Sequence, residues 1–406
     1  MERFIAIMGM IVLLAIAYAM SNNRSKIDYR LVRWGLGLQL IFALFILKTP
    51  IGLPFFEFFD DIIKKLLEFS DKGGDFLFAS FVTNQVDAPL INFAVRVLPT
   101  VIFFSALIGI LYHLGVMQFV VKWIAKVVQK TMGTSGSETL SVVGSIFVGQ
   151  TEAPLLVKPF VKTMTKSELM TIMVGGFATV AGGVMAIYVA MLSNVPGIAG
   201  HLMAASIMSA PAAIVVAKII YPELEESETA GTLQVTVEKT ANNAMEAMGD
   251  GAIDGMKLAA NIGAMLIAIV AMVAMFDGIL SFANTSLAEI LGFLFKPLAF
   301  LMGAPWEEAG LLGTLLGEKI VLTELVAYKD LSILTNEGSI SDRTAIIASY
   351  ALCGFANFAS IGIQMGGIGG IAPSRKKDIA NFALKAMVGG ALASWLTACI
   401  AGMLIT

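Results

Sequence analysis

From Leu169 to Ala217 the chain passes no Asp, Glu, Lys or Arg. One crossing of a bilayer takes about 20 apolar residues as a helix, so this run is too long for a single span. Asn194-Val-Pro-Gly197 divides it into two. Comparable runs are Phe4 to Asn23, Trp34 to Phe56 (interrupted only by Lys48), Val97 to Val121, Leu258 to Phe276, Thr344 to Ser374 and Ala386 to Thr406. Together they predict an all-α polytopic membrane protein with about eight transmembrane helices.

Composition closes off the alternatives. Of the 406 residues, 57% are hydrophobic and 14% charged, whereas a soluble domain carries about 25% charged residues. There are too few polar side chains to cover a water-facing surface, which excludes an ordinary soluble enzyme, a disordered chain and a disulfide scaffold. The net charge of −3 gives no reason to expect a nucleic-acid partner. Cys353 and Cys399 both lie in apolar stretches and read as small core residues.

The first run follows Glu2 and lacks a convincing cleavage site, so it reads as a retained helix. Arg24, Lys26, Arg30 and Arg33 follow it; the positive-inside rule makes that loop cytoplasmic and the N-terminus external. Phe55 to Phe69, with Asp60, Asp61, Lys64 and Lys65, reads as an amphipathic helix on the outer side. Val116 to Lys130 places Lys122, Lys126 and Lys130 opposite Phe119, Val120 and Trp123, as an interfacial helix on the inner side would. Tyr221 to Asp250, with five glutamates by Glu238, reads as a solvated connection.

Two apolar segments contain polar residues that lipid does not tolerate. In Glu138 to Glu168, an apolar arm over Leu140 to Val148 runs into Gly149-Gln150-Thr151-Glu152-Ala153-Pro154, and a second arm leads to Lys158, Lys162 and Lys166. In Trp306 to Asp330, an apolar arm meets a Gly-Glu-Lys break and returns carrying Glu324. Irregular backbone at membrane depth must be buried in protein or line a cavity, which predicts two re-entrant hairpins with polar tips. Each hairpin precedes a span with a related motif, Phe177-Ala178-Thr179 up to Gly182-Gly183 in one and Phe355-Ala356-Asn357 through Ser360 in the other. An odd number of spans separates the copies, the pattern of an inverted repeat around a midplane site between broken helices.

Broken helices present free backbone NH and CO groups to a polar solute or a cation, and intramembrane carboxylates mostly bind something or relay protons. Gln150, Thr151, Glu152, Glu324, Asn357 and Ser360, with Phe355 as an aromatic face, suit a polar hydroxylated ring compound. The competing reading pairs Glu152 and Glu324 with Lys158 and Lys319 simply to hold the hairpins, and gives Asn357 and Ser360 interhelical hydrogen bonds. His113 and His201, each flanked by apolar residues, read as structural. Gly366-Gly367-Ile368-Gly369-Gly370, with no strand before it, reads as a kink or extended segment. The sequence has no P-loop, no HExxH and no Cys/His cluster, so it reads as a transporter, with a channel or a membrane-embedded enzyme as weaker alternatives.

At these residues the chain resembles the concentrative nucleoside transporters, in particular their bacterial, sodium-coupled branch. Ile146 to Lys158, IFVGQTEAPLLVK, resembles the family's first hairpin tip; Gly317 to Tyr328, GEKIVLTELVAY, resembles its second; Gly354 to Gly362, GFANFASIG, resembles the unwound part of its seventh span. The resemblance implies a bacterial inner-membrane homotrimer importing nucleosides such as uridine by an elevator-like movement. It implies scaffold spans over 1–135, a transport domain over 136–192 and 305–374, mixed elements over 193–304 including the polar loop 221–250, and a last span over 375–406. By resemblance, Gln150, Thr151 and Glu152 contact the base, Glu324, Asn357 and Ser360 hold the ribose, and Phe355 packs beside the nucleoside. The family's sodium site maps to Ser145, Val148, Thr179 and Val180. The bacterial sodium-coupled relatives carry Asn where this chain has Ser145, and the motif's Asn and Phe around Glu324 are here Thr323 and Leu325, which keeps proton coupling open as the alternative.

Overall fold

The helices begin and end where the sequence supplies caps. In a computed structural model the residues described are 2–49, 58, 60, 61, 63, 64, 98–231 and 241–405. In chain order the helices are α1 (Glu2–Ala19), α2 (Tyr29–Lys48), α3 (Leu98–His113), α4 (Val116–Met132), α5 (Gly136–Val148), α6 (Lys166–Ala178), α7 (Gly182–Met191) and α8 (Ile198–Ile220). They continue as α9 (Ala244–Leu280), α10 (Leu287–Leu301), α11 (Ala309–Val321), α12 (Glu324–Asn336), α13 (Asp342–Leu352), α14 (Phe358–Ile371) and α15 (Lys376–Leu404). No strand occurs among the described residues.

Four stretches are long and apolar enough to cross a membrane unaided: Tyr29–Ile46, Lys166–Met191, Ile198–Ile220 and Pro373–Leu404. The predicted span over Val97 to Val121 is instead a bent pair, Pro99–His113 and Val116–Met132, meeting at 76°. The other expected spans fall on α1, on α9 and on the interrupted pair α13 and α14. α10 is a further apolar helix that no charge-free run marks, because it carries Glu289 and Lys296. Of the predicted outer amphipathic helix, only residues 58, 60, 61, 63 and 64 are described; there Asp60 Oδ1 accepts the Ala199 N–H at the start of α8 at 3.3 Å. Of the polar connection, residues 232–240 lie outside the described set.

α4 confirms the lysine spacing and corrects its partner face. Its buried residues are Met117, Val121, Ala125, Val128 and Met132, while Phe119 and Trp123 are 73% and 66% exposed on the outside of the fold. Large apolar side chains pointing away from the protein beside lysines are what a helix lying in the membrane interface requires.

The base of the first hairpin is built from two helix N-termini. Ser135 and Glu138 form a capping box on α5, and Thr165 and Glu168 form one on α6. Both glutamates are buried. Lys218, near the end of α8, meets Glu138 at 2.8 Å and Glu223 at 3.1 Å, and Ser227 donates to Glu168. A buried charge is tolerable when it is paired and hydrogen-bonded.

Both predicted broken spans are broken. α6 stops at Ala178 and α7 starts at Gly182; α13 stops at Leu352 and α14 starts at Phe358. The second break turns on Gly354, at φ +98°, where a Cβ would also stand 2.6 Å from the Phe177 carbonyl oxygen of the first break. Only glycine serves there. The glycine-rich stretch from Gly366 to Gly370, expected as a kink or extended segment, is helical within α14. Its small residues let the helix approach the first hairpin, since a Cβ on Gly367 would meet Thr151 Cγ2 at 2.8 Å.

Lys319, in α11, is wholly buried. Its ammonium donates to the carbonyls of Ala351 at 2.8 Å and Cys353 at 3.0 Å and to Ser394 Oγ at 2.8 Å. Tyr328 Oη donates to the Ser349 carbonyl at 2.7 Å. These bonds satisfy the carbonyls that α13 leaves open where it ends. Lys319→Met would orphan them, and each unmade buried bond costs ~1–3 kcal/mol. We expect Lys319→Met to lower the melting temperature in detergent by several degrees and the exposed Lys158→Met to leave it within a degree; equal shifts would refute the capping role.

Candidate functional site

The sequence-predicted residues gather at three places around the two breaks. The first is Glu324, in the first turn of α12, where the N-terminal end of a helix favours a carboxylate. Its side chain is buried. Tyr188 Oη, from α7, donates to Oε1 at 3.0 Å, and Asn357 Nδ2 donates to Oε2 at 2.7 Å. Tyr188 is itself stacked on Tyr328 with ring centroids 4.0 Å apart. The competing reading, in which Glu324 pairs with Lys319, does not describe these bonds, because the Lys319 ammonium is directed to Ala351, Cys353 and Ser394.

Asn357 serves twice. As N-cap of α14 its Oδ1 accepts the Ser360 N–H at 2.8 Å, so its amide is oriented with the NH2 toward Glu324. Asn357, Ser360, Gln364 and Ile368 form the buried face of α14, while Phe358, Ile363 and Met365 face outward. Polar inside and apolar outside is the polarity expected of a helix surrounded by lipid or by an apolar partner. Phe355 lies in the break, half-buried.

The second place is the first hairpin tip. α5 ends at Val148, Gly149 follows at φ +100°, and the return arm is a 3-10 helix over Ala153–Phe160 rather than an α-helix. Gln150 is buried and accepts a bond from Gln364 Nε2 at 3.2 Å. Glu152 instead borders a cavity of about 550 Å³ whose wall includes Tyr112, His113, Val148, Lys158, Asp250 and Asp254. Glu324, Phe355, Asn357 and Ser360 are not part of that wall. The structure therefore joins Glu324 with Asn357, and Gln150 with α14, and leaves Glu152 facing a separate space.

The third place is the proposed ion position. Thr179 Oγ1 lies 2.8 Å from Ser145 Oγ, and Ser145 Oγ donates to the Val142 carbonyl at 2.7 Å. The two hydroxyls sit where α5 and α6 approach their C-terminal ends, and converging C-termini favour a cation. The Val180 N–H donates to Ser206 Oγ at 3.5 Å. His201 Nδ1 lies 3.3 Å from Tyr350 Oη, in keeping with a structural role; both cysteines are free and buried. Sequence reasoning missed Tyr188 and Gln364. Each is a polar group in an apolar helix, a signal that was available but shared with many residues that only pack.

Broken helices, buried polar tips and an apolar exterior define a membrane transporter. The chain matches the family models for the Na+ dependent nucleoside transporter N-terminus over residues 8–81 and C-terminus over 201–402, and for nucleoside recognition over 94–195. It is 43% identical to an uncharacterized transporter of Haemophilus influenzae, covering 98% of this chain and 97% of the other. It is 40% identical to sodium/nucleoside cotransporter 1 of Rattus norvegicus over 99% of this chain, which spans 64% of that longer protein. The solved structure of CNTnw in an inward-facing substrate-bound state matches with a TM-score of 0.91 at 38% identity, covering 100% of this chain and 98% of that one. The chain belongs to the sodium-dependent nucleoside transporter family, whose characterised members here are transporters and not enzymes.

Removing the Tyr188 hydroxyl takes one donor from a buried carboxylate. A hydrogen bond to a charged group contributes ~1.5–3 kcal/mol. Tyr188→Phe should weaken nucleoside affinity about tenfold or more with little loss of thermal stability, as read by isothermal titration and a melting curve. An unchanged Kd would mean that Glu324 is held for packing alone.

Proposed function

We propose that this protein is a nucleoside:cation symporter of a bacterial inner membrane, importing nucleosides such as uridine together with sodium. The observation that carries the reading is the Glu324 carboxylate, buried and held by Tyr188 and Asn357 where the second hairpin meets both breaks. A carboxylate so placed is an acceptor for vicinal hydroxyls, which fits a ribose. Asn357 and Ser360 complete the ribose contacts, Gln150 and Thr151 contact the base, and Phe355 packs against the nucleoside. Glu152, which borders a separate cavity in this structure, joins the base contacts once the first hairpin tip closes around the substrate. Sodium is cargo rather than a resident cofactor, taken at Ser145, Val148, Thr179 and Val180.

We further propose that residues 136–192 and 305–374 move together as the transport domain, in an elevator-like movement against a trimeric scaffold that includes 1–135, with 193–304 shared between scaffold and transport elements and 375–406 as the last span. Support comes from the close contact of the two breaks at Gly354, where a Cβ would stand 2.6 Å from the Phe177 carbonyl oxygen, and from matches to CNTnw variants in outward-facing and intermediate states. The near-complete coverage of bacterial relatives supports the location. Proton coupling is the second reading, favoured by the Ser145–Thr179 bond, which engages two of the proposed sodium ligands with each other.

Two experiments separate these. Uridine uptake into proteoliposomes should accumulate under an imposed sodium gradient; accumulation under a proton gradient alone would transfer the coupling to a carboxylate. Ser145→Asn, which restores the longer amide of the bacterial relatives, should raise sodium affinity several-fold, and an unchanged sodium dependence would refute the ion assignment. Glu324→Gln removes the anionic acceptor and should cut uridine affinity by about 100-fold, equivalent to ~2.7 kcal/mol; wild-type affinity would refute the ribose role.

A further inference from the structure

Gln364 is wholly buried in α14, and its amide is oriented by a group that cannot be mistaken for a donor. Nε2 lies 3.0 Å from the Met173 carbonyl oxygen. A backbone carbonyl only accepts, so the Gln364 atom facing it is the NH2. The same NH2 lies 3.2 Å from Gln150. Its hydrogens are both directed at acceptors, so Gln150 must present its oxygen to Gln364 and keep its own NH2 for whatever approaches the hairpin tip. The packing leaves room for this pair: a Cβ on Gly176 of α6 would stand 2.7 Å from Gln364 Nε2 and 3.0 Å from Gln150 Cβ.

The arrangement leaves an atom unexplained by packing. Gln364 Oε1 is buried and has no hydrogen-bond partner among the described residues. An isosteric apolar side chain would avoid that unfavourable burial. A residue that only filled space has no need of an amide here, whereas one that orients its neighbour does.

We propose that Gln364 is a specificity-determining residue that locks the Gln150 amide so that Gln150 reads the nucleobase as a hydrogen-bond donor. The transporter then prefers bases that offer an acceptor at that edge, a carbonyl oxygen, over bases that offer an amino group. The proposal rests on the reading that Gln150 faces the base. It applies alike to pyrimidines and purines, because uridine and cytidine, and inosine and adenosine, each exchange a carbonyl for an amino group at one edge. Gln364 acts through Gln150 and is a positioning residue, so its signature is a change in preference rather than a loss of binding.

The test is competition by these four nucleosides against labelled uridine uptake in proteoliposomes. The wild type should favour the carbonyl base of each pair about tenfold. Gln364→Leu frees the Gln150 amide to rotate, and the preference should fall to about twofold or less while uridine affinity changes by less than about threefold. Gln364→Met does the same with a slimmer side chain and serves if the leucine variant does not fold. A role in packing alone would weaken all four nucleosides by the same factor, and that result overturns the proposal, as does a wild type without preference. Gln150→Ala separates the two levels. If it leaves affinity and preference untouched, the base reading of Gln150 fails. If it abolishes the preference while Gln364→Leu keeps it, only the role of Gln364 fails.

Discussion

A helix that stops at membrane depth leaves carbonyls that lipid cannot satisfy, and at the end of α13 the Lys319 ammonium satisfies them. The site depends on that arrangement. Without a partner for the Ala351 and Cys353 carbonyls, α13 would have to run on into α14, and Asn357 would become an interior residue rather than an N-cap. As N-cap it spends its Oδ1 on Ser360 and is left with an NH2, which is the group Glu324 requires. One buried cation thus permits the break, and the break orients the amide that holds the carboxylate.

The same economy of partners runs through the helices around the two breaks. Tyr328 caps Ser349 with its hydroxyl and supports Tyr188 with its ring. Tyr188 in turn reaches Glu324. The two breaks touch at Gly354, whose missing side chain admits the Phe177 carbonyl. Polar groups inside a low-dielectric core are costly singly and rigid when mutually satisfied, so a network of this kind holds its geometry while Phe358, Ile363 and Met365 keep the outward face of α14 apolar.

Much of this was legible in the sequence. Charge-free runs located the spans, the Gly-Gln-Thr-Glu and Gly-Glu-Lys interruptions located both hairpins, and the paired Phe-Ala motifs located both breaks. The capping boxes at Ser135 and Thr165 could be read from the Glu three residues on. Other assignments failed for physical reasons. The competing reading paired Lys319 with Glu324 because opposite charges five residues apart invite pairing, and sequence spacing does not reveal a carbonyl from a helix elsewhere in the chain. Gly366 to Gly370 looked like a kink because glycine weakens an isolated helix, but here it admits the close approach of Thr151 and the helix persists. Phe119 and Trp123 were placed opposite the lysines of an interfacial helix, and in the fold both sets are exposed, because the buried side of α4 is taken by Met117, Val121, Ala125, Val128 and Met132.

Membrane residence, helicity and two recurring pairs of polar interruptions follow from composition and spacing, because burial of backbone in lipid leaves so few solutions. Tertiary structure alone decided which polar group meets which. Tyr188 and Glu324 are 136 residues apart, and Gln150 and Gln364 are 214 apart. Hydrogen bonds are directional and short, so their partners are fixed only when distant helices have been brought to within 3 Å or so of one another.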